Sequence, residues 1–188
     1  MSDSTLALAN HLLVAAPTLQ QEPFTRSVGL VCQHDADGAM AVLVNQPSEY
    51  TLGDVFAQIG IQCQDPQLQA VPVLNGGPVH AERGFVLHDD ARNWGSSLAV
   101  AEGLYLTTSR DILQAMAAGQ GPRNALVALG CAGWGPGQLE NELAENSWLA
   151  VPSDATILFS LPLAERWHGA AGLLGVDLAH LADYSGRA

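Results

Sequence analysis

The chain has 188 residues, 48% of them hydrophobic and 14% charged, enough apolar material for one domain with a substantial core. Nineteen acidic residues stand against seven basic ones, all arginine and scattered from Arg26 to Arg187, for a formal net charge of −12. Without a basic face to contact phosphates, and with a field that repels polyanions, the composition speaks against direct nucleic-acid binding and against docking on an anionic bilayer.

Residues 1–9 are expected to fray. Met1-Ser2-Asp3-Ser4-Thr5 lacks the basic region of a secretory signal, and no apolar run approaches the ~18 residues of a bilayer-spanning helix, so a cytoplasmic location is expected. Residues 11–17 read as a short strand or turn closed by Pro17. Residues 28–33 predict a strand, 34–38 a turn with Asp-Gly chemistry, and 39–44 the returning strand, together a β-hairpin. Thr51 and Asp54 form a capping box ahead of a helix over 52–59, whose inner face carries Leu52, Val55, Phe56 and Ile59; Gly60 ends it. The stretches 20–23 and 64–67 read as loops.

Strands follow at 71–74, 84–88 and 104–107, the second paired with the first. Ser109 is expected to N-cap a helix with Asp111 in its first turn and Ile112, Leu113 and Met116 facing inward, stopped by 119–122. The unbroken apolar run 125–129 predicts a strand buried on both faces. Glycines and Pro136 then break it before a helix that buries Leu139 and Leu143. Residues 147–152 read as extended, 156–159 as the last strand, and 162–174 as a helix closed by Gly175; 178–181 add one turn. Hairpins mixed with strand–helix–strand segments make this an α+β domain with a largely mixed sheet.

The glycine-rich passage 130–137 admits two readings. It is either a ligand site built from backbone N–H groups, or a steric device for close strand–helix packing with Trp134 as core anchor. No Lys-Ser or Lys-Thr follows it and the G-x-G-x-x-G spacing is absent, so it is neither a P-loop nor a dinucleotide fingerprint. Glu140 and Glu142 disfavour a phosphate beside it.

Several motifs in register carry a family resemblance. Asn10-His11-Leu12-Leu13-Val14-Ala15, Asp37-Gly38-Ala39-Met40, Val44-Asn45-Gln46-Pro47, Gly76-Gly77-Pro78-Val79, Arg83-Gly84-Phe85-Val86-Leu87-His88, Ala132-Gly133-Trp134 and Gly137-Gln138-Leu139-Glu140 occur in order. The chain resembles the AlgH/YqgE family of bacterial cytoplasmic proteins from about Asn10 onward. The resemblance implies an α+β fold of mixed β-sheets with a small barrel-like portion surrounded by helices. Members often carry the label of transcriptional regulator without a molecular mechanism, and the charge of this chain points to regulation through a protein or ligand instead of DNA. Ala41, Cys131 and His80 depart from the residues usual in the family.

The chemistry-bearing residues form no familiar constellation. Cys32, Cys63 and Cys131 lack C-x-x-C or zinc spacing, so neither a disulfide, a metal nor a cofactor is expected. His80 and His88 are separated by roughly 26 Å of extended strand, too far for one ion. No G-x-S-x-G elbow exists, and Glu140 and Glu142 point to opposite sides of a helix. Arg83 either receives a ligand carboxylate or forms a surface ion pair.

The expected ligand-binding residues are Asn45, Asn75, Gly76, Gly77, Trp134 and Gln138, from three polar turns (45–47, 75–78 and 133–138) expected to converge on one pocket, together with Arg83, His88 and Glu140. The expected function is a binding module for a small molecule or protein. The alternative is a hydrolase- or transferase-type enzyme using Arg83, His88 and Glu140; a homo-oligomer is compatible with either.

Overall fold

Short apolar runs with few charges favour strands, and ten form in the computed structural model, which describes residues 7–175. They are β1 (His11–Ala15), β2 (Val28–Asp35), β3 (Gly38–Leu43), β4 (Pro47–Thr51), β5 (Pro72–Asn75), β6 (Val79–His88), β7 (Ser97–Ala101), β8 (Leu104–Thr107), β9 (Ala125–Trp134) and β10 (Trp148–Pro152). The helices are α1 (Leu52–Gln58), α2 (Pro66–Gln69), α3 (Arg110–Ala117), α4 (Gln138–Ala144) and α5 (Arg166–Leu173). Among the described residues no helix is long and apolar enough to cross a membrane.

Eight antiparallel strands in the order β10-β1-β2-β3-β9-β6-β8-β7 curl into a half-barrel. A branch adds β5, parallel to β9, and β4, antiparallel to β5. Strand β9 joins the two halves. Its first part pairs with β6 on one side and β5 on the other, whereas Ala132, Gly133 and Trp134 pair with β3.

Three apolar clusters follow from this curl. The interior gathers Leu12, Leu30, Val42, Phe85, Leu87 and Ala128 against Trp167 and Ala170 of α5. Outside one half, Trp134 and Trp148 pack edge to face at 5.9 Å over Leu139 of α4. Outside the other, Leu52 and Phe56 of α1 and Ile112 of α3 cover Val73, Val86 and Val127. Each buried Leu, Ile, Val or Phe among them contributes roughly 1.5–3 kcal/mol of transfer free energy.

The α1 capping box forms as expected: Asp54 N donates to Thr51 Oγ1 at 3.3 Å and Thr51 N to Asp54 Oδ2 at 2.8 Å. The hairpin of β2 and β3 also forms, with Asp35 opposite Gly38 and a β-bulge near Cys32. Leu8, within the segment expected to fray, is buried and donates its N–H to His34 Nδ1. Residues 1–6 and the expected turn at 178–181 lie outside the described residues.

Other expectations are corrected. The strand expected at 156–159 is a π-helical turn, Thr156–Ser160. Asp154 Oδ1 accepts from Ile157 N, and this local capping outcompetes sheet pairing for a short apolar run. The strand ending at His88 is flanked by β8 and β9, not by β5. Ser109 stands at the N-cap of α3 but its hydroxyl donates to Asp111 Oδ1 instead of accepting a helix amide, and Asp111 Oδ1 takes the Ile112 N–H. The expected break after residue 129 is an extension of β9 through Trp134, and the turn proper is confined to Gly135, Pro136 and Gly137. Strands β4 and β7 and helix α2 were not expected, because the first two are short, exposed edge strands with weak alternation.

Candidate functional site

Helices α1 and α3 leave part of their sheet face bare. There a shallow trough of about 440 Å³ lies over β4, β5, β9 and β6, lined by Pro47, Ser48, Glu49, Tyr50, Asn75, Ala81 and Leu129. Its bank on β4 is shaped by Ser48, whose hydroxyl donates to Val73 O at 2.6 Å and accepts from Tyr50 N at 3.1 Å. That inserted hydroxyl breaks the regular β4–β5 register. Gly84, opposite Leu129 across the β6–β9 ladder, lines a neighbouring hollow of about 190 Å³ with Ile59, Thr107 and Arg110.

The polar turns at 45–47 and 75–78 do meet. Asn75 N donates to Gln46 O, and Leu43 N to Gly76 O. Asn45 is a staple, accepting from Val28 N and donating to Arg26 O. Gly76 and Gly77 cross directly over β9: a Cβ on Gly76 would stand 2.2 Å from Gly130 O, and one on Gly77 2.3 Å from the Cys131 carbonyl. Of the nine expected site residues only Asn75 lines the trough.

The third turn lies elsewhere. Trp134 pairs with Ala39 at one end of β3, roughly 20 Å of extended chain from Asn45 beyond the other. Trp134 is buried, and Gln138 Oε1 accepts from Gly135 N at 3.0 Å. Glu140 Oε1 meets His34 Nε2 at 2.5 Å. Because His34 Nδ1 accepts from Leu8 N, Nε2 carries the proton and donates to the carboxylate. Glu140 sits below the ordinary glutamate range, through its own backbone N–H and the His34 bond. Sequence reading missed His34; its partner is 106 residues away, and no local signal announces it.

Arg83 and His88 are also separate from the trough. The Arg83 guanidinium lies 5.9 Å from the Phe85 ring centroid, over a side chain of the interior cluster. His88 is fully buried; its Nδ1 accepts from Asp90 N at 3.1 Å, so Nε2–H donates to Thr107 Oγ1 at 2.6 Å. Burial pushes its pKa down, against the pull of Asp90 and Asp89. Tyr105 stacks on the ring and Trp94 meets its edge. With both nitrogens engaged, this imidazole has no lone pair to take a substrate proton. Arg83, His88 and Glu140 therefore do not assemble into one constellation.

Arg166, which sequence reading passed over, is 5% exposed and donates to two carbonyls, Leu161 O and Val44 O. Burial lowers its pKa. Among the described residues no three His, Cys, Asp or Glu side chains gather as a metal-holding group.

Comparison with known proteins gives consistent matches. A family model described as AlgH-like matches residues 12–179. A UPF0301 protein of Stenotrophomonas maltophilia (strain R551-3) is 69% identical over 181 residues, covering 96% of each chain. One of Xanthomonas campestris pv. campestris (strain B100) is 66% identical over 188 residues, all of both chains. The solution structure of the AlgH protein from Pseudomonas aeruginosa is similar with a TM-score of 0.80 at 40% identity, covering 97% of this chain and 96% of that one. A crystal structure from Corynebacterium diphtheriae, at 22% identity, shares the fold with a TM-score of 0.71 over 96% of this chain and 94% of its own.

Proposed function

The chain belongs to the AlgH-like family, and from that premise we propose that it is a single-domain cytoplasmic binding module that acts through the trough between β4 and β6. The observation that carries this reading is the open trough across β4, β5, β9 and β6, in which exposed Tyr50 stands beside Asn75, Ala81 and Leu129. Any regulatory role then runs through a bound protein or small molecule, because a chain of net charge −12 with seven scattered arginines repels a polyanion such as DNA. The enzymatic alternative built on Arg83, His88 and Glu140 has no such support, since the three are separated and His88 is enclosed.

The test is native mass spectrometry of gently purified protein, comparing wild type with Ala81→Arg. Ala81 is exposed, so the new side chain fills the trough without disturbing the core. A partner or small molecule bound by wild type and lost from Ala81→Arg is the expected result. The same species retained at equal stoichiometry by the variant overturns the assignment of the trough.

A further inference from the structure

We propose that the trough receives an extended peptide segment of a partner protein, with an arginine or lysine set against Glu49 and Tyr50. This rests on the reading of the trough as the binding site. Tyr50, Val71 and Val79 are 52%, 44% and 39% exposed, three of the four exposed large hydrophobic side chains among the described residues. Of these, Tyr50 lines the trough, beside the apolar Pro47, Ala81 and Leu129, so an apolar side chain of another chain has a surface to cover there.

The one charged side chain that lines it is acidic. Glu49 lines the trough and Glu82 follows the lining residue Ala81; both are exposed, and neither has an ion pair among the described residues. The next residue, Arg83, lies over Phe85 instead, and Arg110 stands in the neighbouring hollow beyond Leu129 and Gly84. The Glu49 end is therefore the acidic pole. The bulge at Ser48 lets the consecutive residues Glu49 and Tyr50 both line it, so one cation can pair with the carboxylate while resting on the phenol ring.

Asn75 completes the recognition. Its Oδ1 already accepts from Gly77 N, while its Nδ2 has no partner among the described residues and is placed to donate to a peptide carbonyl. A small cation alone would leave Pro47, Tyr50, Ala81 and Leu129 in water; a peptide with alternating basic and apolar residues covers both kinds of surface. The net charge of −12 steers a basic segment toward the chain.

The test is amide chemical-shift mapping on the full isotope-labelled chain. The probes are a short peptide alternating arginine with valine and the same peptide with glutamine or glutamate for arginine. The expected result is shifts at Glu49, Tyr50, Ala81 and Leu129 with the arginine peptide, absent with the glutamate one. Binding should weaken several-fold at raised salt and in Glu49→Gln, an exposed substitution that leaves the fold intact. Equal affinity for the glutamine peptide, or for Glu49→Gln, overturns the cationic assignment but leaves the trough as a site. An arginine peptide that shifts none of these amides overturns the peptide assignment, and the Ala81→Arg comparison then judges the trough alone.

Discussion

His88 shows how a titratable side chain becomes a structural one. Its histidine-next-to-acid context suggests a functional group, yet the ring is enclosed by Tyr105, Trp94 and Thr107 and is held neutral by burial. The folded pKa lies below the ordinary value of 6.5, so as pH falls through that value the unfolded chain takes up a proton that the folded chain refuses. The stabilisation is fully present above pH 6.5 and declines as pH falls toward the folded value, by at most about 1.4 kcal/mol per pH unit for one proton. Urea midpoints measured from neutral pH downward should fall more steeply for wild type than for His88→Gln, which keeps a donor for Thr107 without titrating. Parallel curves would show that His88 is not the source. Burial of this kind cannot be read from neighbours in sequence, because the groups that enclose His88 come from β8 and the loop before β7.

At the scale of elements, the connection between β5 and β6 explains the Gly76-Gly77-Pro78 turn. The two strands flank β9 on opposite sides, so the turn joining them must cross it, and only backbone fits where Gly77 passes Cys131. Gly77 has φ +142° and Gly130 φ +80°, conformations that penalise any Cβ. Gly77→Ala should therefore cost more than about 2 kcal/mol in urea unfolding, combining backbone strain with overpacking. Gly84→Ala, with nothing within 4 Å of the added methyl, should change stability by less than about 0.5 kcal/mol. Equal losses for the two would refute the crossing as the reason. The sequence shows glycines at both places but not which ones meet. By contrast, the capping box of α1 is legible because its two partners lie within one turn, while 156–159 is not, because a short apolar run suits a strand or a buried turn equally well.

At the scale of the molecule, Cys32 and Cys131 lie in the interior cluster that spans both halves of the sheet, whereas Cys63 is half-buried in the loop before α2. Burial pushes Cys32 up to about 12 and raises Cys131 as well. A chromogenic disulfide reagent at mildly alkaline pH should react promptly with one thiol per native chain and reach the other two only on global unfolding. Prompt reaction of all three would mean that the interior opens locally. The same long-range assembly produces the candidate site: β4, Asn75, Ala81 and Leu129 come from separate segments, and only the branch of β4 and β5 onto β9 sets them side by side.

The sequence by itself determined the family, the acidic character, and the elements whose signals fit within a few residues: the β2–β3 hairpin, the α1 cap, and the Leu139 and Leu143 face of α4. Tertiary structure alone decided that β9 runs on through its glycines to join two half-sheets, that the Trp134 turn sits apart from Asn75, that His34 finds Glu140, and that a trough remains where the helices stop. The reason is physical. Capping and hairpin turns are closed by hydrogen bonds between near neighbours, whereas strand pairing and side-chain burial are settled by partners scores of residues away, which no local pattern specifies.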